Sequence, residues 1–218
     1  MIFSIITGII TRCSYSRISL NKKAYDTATL VFSEDYVKFH DKTNIFSCET
    51  KNAISDLDKY NNSIFEIKCI SVEYCFYCIK YNAKVINTIK GETDETGNSI
   101  ILYEFGGGFY TNPDKASMGY SPYSDTLPLK ENKNYLVFAN KRDYCYEYQR
   151  TLDCNEYSIG VMASSPNVFV LDEEQTTFID INKDKIYSSL NDKHYICFSQ
   201  EALDHINTFA KDIIDYYR

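Results

Sequence analysis

The sequence predicts a mainly β fold, a small antiparallel barrel or sandwich with one helix before it and one after it. Two stretches dominate this prediction: residues 80–91, KYNAKVINTIKG, and residues 129–139, LKENKNYLVFA. The first belongs to a long predicted strand, 76–90, and the second contains a short apolar strand, 135–140, of the kind found at the centre of a sheet. Composition agrees, because the chain has 20 tyrosines and 13 phenylalanines, and aromatic residues favour strands.

Length and charge limit the classes of function. A chain of 218 residues suits one domain with or without an ordered extension, and a hydrophobic share of 44% is enough for a packed core. The net charge of −7 disfavours binding to double-stranded nucleic acid, because Lys and Arg supply most of the affinity for phosphates. No run of more than two basic residues offsets this balance.

Residues 1–12 form an apolar segment that contains the nine-residue run IFSIITGII. The run is far shorter than the roughly 20 residues that span a bilayer. It has the length of the apolar part of a signal peptide but lacks the basic stretch that precedes one. Two interpretations stay open: the remnant of an export signal, or a buried strand. The first is favoured and predicts a secreted or envelope-associated protein; the alternative is a cytoplasmic one.

The chain around the β block divides into simple elements. Residues 13–53 are predicted to be an extension with a hairpin, in which 36–39 form a strand after a turn at 33–35. Residues 53–60 predict a short helix from the spacing of their apolar side chains. Residues 172–218 are predicted to be a C-terminal extension that ends in an amphipathic helix with Ser199 as its N-cap.

The β block itself is predicted to be one domain, residues 54–171. A long loop, residues 109–128, contains most of its turn-forming residues and lies between its third and fourth strands. The predicted strands are 64–74, 76–90, 100–105, 135–140, 158–163 and 168–171.

This order of a short helix, a long strand, then NAKV…IKG and NYLVFA resembles the netrin-like, or tissue-inhibitor-of-metalloproteinase-like, OB-fold. It is most similar to uncharacterised exported proteins of Gram-positive bacteria, and the resemblance covers residues 54–171. It implies a Greek-key barrel of about five strands, export from the cytoplasm and no catalytic residues. The animal inhibitors chelate a protease zinc through an N-terminal cysteine. Here the first cysteine is Cys13, behind an apolar stretch, so no inhibitory role is carried over.

Eight cysteines are compatible with disulfides in an exported protein. Cys145 and Cys154 flank a polar loop, and a bridge between them, conditional on export, would stabilise the fold by roughly 2–3 kcal/mol. Two unpaired thiols are the alternative. Cys75 and Cys78 form a CxxC motif that lies within or between strands, which predicts structural thiols or disulfide partners rather than a redox centre or half of a zinc site.

No catalytic, cofactor-binding or metal-binding residue is predicted. Residues 106–108, GGG, lack the Lys-Ser/Thr and the helix of a phosphate loop. The three histidines, His40, His194 and His205, have no metal-like spacing. OB-folds stack their ligands on aromatic rings, so the candidate ligand-facing residues are Tyr103, Tyr110, Tyr120 and Tyr123, although a tyrosine-rich chain exposes some rings in any case.

The function predicted from the sequence is that of an exported or membrane-associated bacterial OB-like module, with a binding or structural role rather than a catalytic one. Its partner would be a protein or a glycan, without a cofactor. An intracellular OB-type binder of single-stranded nucleic acid is the alternative. The weakest alternative is a cysteine- or metal-dependent enzyme that uses Cys75 and Cys78.

Overall fold

The computed structural model describes residues 22–41, 50–75, 78–105, 108–112, 117–121, 126–141, 144–145, 150–151, 155–160 and 166–218. Its helices are α1 (Lys22–Asp26), α2 (Glu34–Asp41), α3 (Thr50–Tyr60) and α4 (Gln200–Tyr217), with a short 3₁₀ helix at Tyr187–Leu190. Its strands are β1 (Thr29–Leu30), β2 (Ser63–Tyr74), β3 (Cys78–Lys90), β4 (Ser99–Phe105), β5 (Gly108–Asn112), β6 (Ser117–Ser121), β7 (Asn134–Lys141), β8 (Tyr144–Cys145), β9 (Arg150–Thr151), β10 (Glu156–Ile159) and β11 (Val168–Val170).

The centre of the molecule is a closed barrel of five strands in the order β2-β3-β4-β10-β7, with β7 returning to β2. The pair β4–β10 is parallel and the other four pairs are antiparallel. Counted along the chain, the barrel strands therefore follow the order 1-2-3-5-4, which is a Greek-key arrangement. The predicted fold class, a mainly β protein with an OB-like barrel, is confirmed.

Three β-bulges interrupt the long pairing of β2 with β3. The extra residue is an isoleucine each time, Ile70 on β2 and Ile86 and Ile89 on β3. A bulge bends its strand and increases the local twist. The bulges therefore supply curvature that two strands of this length need in order to close into a narrow barrel.

Aromatic and branched side chains fill the barrel. The Phe65 ring packs edge-to-face against Tyr157 across the interior, with the ring centroids 5.0 Å apart. Ile67, Leu102 and Val137 are fully buried around them. Burial of one such side chain contributes roughly 1.5–3 kcal/mol, so this interior is a main source of stability.

Helix α4 packs against the strands β7 and β11 from outside the barrel. Its Tyr217 ring contacts Phe138 of β7 with 5.2 Å between centroids, and its Phe209 ring lies 6.2 Å from that of Phe169 of β11. The Tyr217 hydroxyl also donates to Asp58 Oδ1 on α3 at 3.0 Å. The predicted amphipathic helix is confirmed, including its cap, because Ala202 N–H donates to Ser199 Oγ at 3.3 Å.

A second apolar cluster joins the segments before and after the barrel. Ala28, Tyr120, Ile179 and Tyr187 are buried in it, and they come from the N-terminal segment, β6 and the chain ahead of α4. Tyr74, the last residue of β2, packs against this cluster and also against the barrel core. The two predicted extensions therefore share one core that rests on the barrel.

Two local predictions are wrong. Residues 36–39 belong to helix α2 rather than to a strand, because Ser33 caps the helix: its Oγ accepts from Tyr36 N–H at 3.1 Å. The predicted loop 109–128 contains the hairpin of β5 and β6, whose pairing runs from Gly108 with Ser121 to Asn112 with Ser117. The Gly and Pro residues of this segment predict turns, and no local pattern indicates that its two halves pair.

The predicted apolar segment, residues 1–12, lies outside the described residues. The same is true of Gly106 and Gly107, the first two residues of the GGG sequence. Among the helices that the structure describes, none has the length and apolar character needed to cross a membrane.

We expect Ser199→Ala to lower the free energy of unfolding by about 1 kcal/mol, because the first turn of α4 loses the acceptor for a backbone N–H. Urea unfolding followed by circular dichroism measures this change. Ser199→Asp is the control, since aspartate caps equally well. An equal loss in both variants would show that the cap is not the cause.

Candidate functional site

The outer surface of β2, β3 and β4 is the first candidate, because OB-folds bind ligands on the face of their second and third barrel strands. Here those strands are β3 and β4. Lys84 on β3 stands opposite Lys68 on β2 and opposite Ser99 on β4, and all three residues are exposed. The centre of this surface therefore carries two neighbouring ammonium groups.

This lysine pair is electrostatically unfavourable in the isolated protein. Like charges directly opposite each other on neighbouring strands repel by roughly 0.2–1 kcal/mol. In the part of the chain that the structure describes, neither Lys68 nor Lys84 makes an ion pair. Further along the same two strands the charges are paired, because Lys80 Nζ lies 3.4 Å from Glu73 Oε2. Two positive charges thus stay uncompensated in a chain whose net charge is −7.

Two bulge isoleucines flank the lysine pair. Ile70 is 48% exposed and Ile86 is 47% exposed, unlike the buried isoleucines of the same strands. We call Lys68, Ile70, Lys84 and Ile86 the lysine face. It combines apolar side chains with positive charge on β2 and β3, and β3 is one of the two strands on which OB-folds bind ligands.

The tyrosines predicted to face a ligand lie elsewhere. Tyr103 and Tyr120 are each only 2% exposed. Tyr103 packs with Cys75 and Cys78, and its hydroxyl donates to Glu156 Oε1 at 2.9 Å. Tyr120 packs edge-to-face on Tyr187 at 4.8 Å. This corrects the expectation of ligand-facing rings at these two positions, because both rings are part of the interior. The side chain of Tyr110 and the whole of Tyr123 lie outside the described residues.

The CxxC motif lies at the turn between the first two barrel strands. Cys75 follows β2, Cys78 begins β3, and Cys75 N–H donates to the Cys78 carbonyl at 3.0 Å. Both side chains are buried. A redox motif draws its low thiol pKa from a helix N-terminus, and here both neighbouring elements are strands. The surroundings therefore fit structural thiols.

The predicted disulfide between Cys145 and Cys154 stays a prediction, because Cys154 lies outside the described residues. Cys145 belongs to β8, which pairs with β9 in a two-stranded hairpin. Two other cysteines, Cys69 and Cys197, are free thiols, and burial raises the pKa of each to about 12. Within the described part of the chain, no group of three or more His, Cys, Asp and Glu residues could hold a metal ion.

A polar cluster that the sequence did not predict surrounds His194. The His194 ring nitrogen Nε2 lies 2.6 Å from Glu173 Oε1, and the other oxygen of Glu173 lies 2.6 Å from Lys133 Nζ. Gln175 Oε1 accepts from the backbone N–H groups of His194 and Tyr195 at 2.6 Å each. This network joins the chain after β11 to the segment ahead of α4.

Burial controls the charge of His194. Desolvation and the Lys130 ammonium lower the pKa of His194 to about 4, although the Glu173 carboxylate acts in the opposite direction. The imidazole is therefore neutral at pH 7, and its Nε2–H donates to the carboxylate. Hydrogen bonds from Lys133 and His194 lower the pKa of Glu173. The cluster thus holds a neutral histidine against a carboxylate anion.

Lys130 is the unsatisfied member of this cluster. Its Nζ is buried and has no hydrogen-bond partner, while its backbone N–H donates to the Tyr135 hydroxyl at 2.8 Å. Burial lowers the pKa of Lys130 to about 8. The ammonium form still dominates at pH 7, so folding carries the cost of burying this charge.

The sequence alone gives little indication of the lysine face or of the polar cluster around His194. The three histidines are scattered along the sequence, and the side chains that bind His194 are far from it along the chain. Lys68 and Lys84 sit in alternating strand patterns, but only the bulged register makes them neighbours.

A comparison of the sequence with protein-family models finds no match, and neither does a search of curated proteins.

We expect stability to fall between pH 6.5 and pH 4 because of His194. Its pKa is about 4 in the folded protein and 6.5 when unperturbed, so the unfolded chain binds the extra proton in this window. The loss is up to about 3 kcal/mol. Urea unfolding at pH 7 and pH 4.5 measures it. His194→Gln should lose clearly less stability than wild type over this interval, and equal losses would contradict this assignment.

We expect Lys130→Met to raise the free energy of unfolding at pH 7 by about 1–2 kcal/mol, because a buried charge without an acceptor is removed. The wild type should also gain stability between pH 8 and 10.5, where the unfolded chain binds more protons than the folded one. Lys133→Met is the control, because it removes a lysine that has a partner. A stability loss in Lys130→Met would contradict the prediction.

Proposed function

We propose that this protein is an exported OB-like binding module of the netrin-like type that recognises an acidic protein partner through its lysine face. The observation that supports this most is the uncompensated pair Lys68 and Lys84, set between the exposed Ile70 and Ile86. An acidic partner would neutralise the two ammonium groups, and its apolar side chains would cover the isoleucines. Binding would therefore supply the negative charges and the apolar cover that the lysine face lacks in the free protein.

The chemistry of the lysine face favours a protein over a glycan or a single-stranded nucleic acid. OB-folds that bind sugars or bases stack them on aromatic rings. On the described strands of this face, the exposed apolar side chains are aliphatic, and Tyr103 on β4 is buried. Isoleucines provide apolar area without a π-face, which suits side chains of another protein.

Binding rather than catalysis is proposed because the lysine face is an exposed strand surface. Catalysis by general acids or nucleophiles requires a site that encloses the reacting atoms and shifts their pKa values. A strand surface with charge and apolar area suits association instead. The buried thiols Cys69 and Cys197, with their raised pKa values, are poor nucleophiles.

Export is supported by the apolar run within residues 1–12, and it would permit the proposed bridge between Cys145 and Cys154. Fractionation of native cells, combined with alkylation of free thiols and mass spectrometry, tests it. We expect the protein in the envelope or the medium, with Cys145 and Cys154 protected from alkylation. A soluble cytoplasmic pool with all cysteines reduced would contradict export and leave the lysine face to be tested separately.

A photo-crosslinking residue at position 70 tests the lysine face directly in cells. We expect one discrete protein adduct that disappears when Lys68 and Lys84 are both changed to glutamate. The same crosslinker at position 92, in the exposed turn between β3 and β4, is the control. A labelled oligothymidylate is titrated in parallel, and salt-sensitive binding that requires both lysines would favour the nucleic-acid alternative and contradict the proposal.

We expect Lys84→Glu to raise the free energy of unfolding by about 0.5 kcal/mol while abolishing the adduct, because an unfavourable cross-strand pair becomes an attractive one. Urea unfolding measures the stability and crosslinking measures the binding. Lys80→Glu is the matched control, since it places a glutamate beside Glu73 and should lower stability. A partner surface is contradicted if Lys84→Glu keeps full crosslinking.

A further inference from the structure

A groove runs along helix α4 on another part of the surface. It has a volume of about 380 Å³ and lies between α4 and the chain that follows β11. Val170, Leu171, Tyr195, Ala210 and Ile214 supply its apolar lining. The helix and its cap contribute residues from Asn207 to Arg218, which at 1.5 Å per residue is a length of about 16 Å. An extended chain of about five residues has the same length.

Carboxylates without partners surround this apolar lining. Asp172, Glu174 and Asp215 line the groove, and in the described part of the chain none of them makes an ion pair or a side-chain hydrogen bond. Lys211 is the one cation there without a partner. The groove therefore carries an excess of negative charge.

Two further charged residues of the groove, Glu173 and Arg218, are each neutralised by a partner within the protein. Glu173 binds Lys133 and His194, and Arg218 Nε lies 2.9 Å from Glu66 Oε1. They do not offset the three free carboxylates. The net excess is thus set by Asp172, Glu174 and Asp215 against Lys211.

The end of α4 adds to the same potential. The groove reaches the last turn of the helix, where backbone carbonyls without intrahelical partners give the helix its negative end. That last turn contains no basic residue before the cap. A cation near Asp215 would therefore meet both a carboxylate and the helix terminus.

We propose that this groove binds an extended, lysine- or arginine-bearing segment of another protein. The aliphatic stems of such side chains would lie on the apolar lining, with their charged ends at Asp172, Glu174 and Asp215. This site has the opposite charge to the lysine face, and strand β7 lies between the two. It adds a basic partner segment to the acidic partner proposed above, and either site can exist without the other.

Titration of the purified chain with the acetylated fluorescent peptide KAKAK, followed by fluorescence anisotropy in about 50 mM salt, tests the groove. We expect the combined variant Asp172→Asn, Glu174→Gln and Asp215→Asn to bind about tenfold more weakly than wild type, because three charge contacts are lost. The peptide EAEAE should not bind measurably. Unfolding by urea confirms that the variant stays folded.

A variant with the same change in net charge separates a site from general attraction. Asp56→Asn, Glu92→Gln and Glu201→Gln remove three carboxylates that lie outside the groove. We expect this variant to bind within about twofold of wild type. Equal weakening in the two variants, or no binding of KAKAK to wild type, would overturn the proposal. Neither result would affect the lysine face, whose residues are unchanged in both variants.

Discussion

The fold depends on the pairing of β10, the shortest strand of the barrel. Its four residues, Glu156–Ile159, pair with β4 in parallel and with β7 in antiparallel direction, and all four are buried. Without β10 the sheet would end at β4 on one side and leave two open edges. Closure also fixes β7 between β2 and β10, which is the position from which Phe138 meets α4.

The bulges that allow closure also create the lysine face. The pairing of Tyr74 with Ile79, continued without a break, would place Val85 opposite Lys68. The bulge at Ile70 shifts the register by one residue and brings Lys84 there instead. A one-residue shift exchanges the two faces of a strand. The bulge at Ile86 then returns the register to its earlier value, so the lysines face each other over a short stretch between two bulges.

The sequence predicted most of the barrel because alternation within a strand is a local property. The bounds of β2, β3, β4 and β7 lie within about two residues of the expected ones. It failed where pairing partners decide. The register at Ile70 depends on how β2 pairs with β3, and β6 pairs with β1 as well as with β5. The burial of Tyr120 depends on Tyr187, which is distant along the chain. Helix α2 is a different case, since the local cap at Ser33 was present in the sequence and was outweighed by an apparent alternation at 36–39.

Two groups of lysines carry unfavourable electrostatics, and they differ in what can relieve it. Lys130 is buried, so only a change inside the protein can provide an acceptor for its Nζ. Lys68 and Lys84 are exposed, so a partner outside the protein can do so. The repulsion between the exposed lysines is small and is screened by salt, so it destabilises the free protein only slightly. A partner that brings carboxylates to this surface removes the repulsion and is favoured over other partners.

The same reasoning applies with the opposite sign to Asp172, Glu174 and Asp215. In the sheet order, β7 separates β2 of the lysine face from β11, which begins the groove, so the two surfaces can contact different partners.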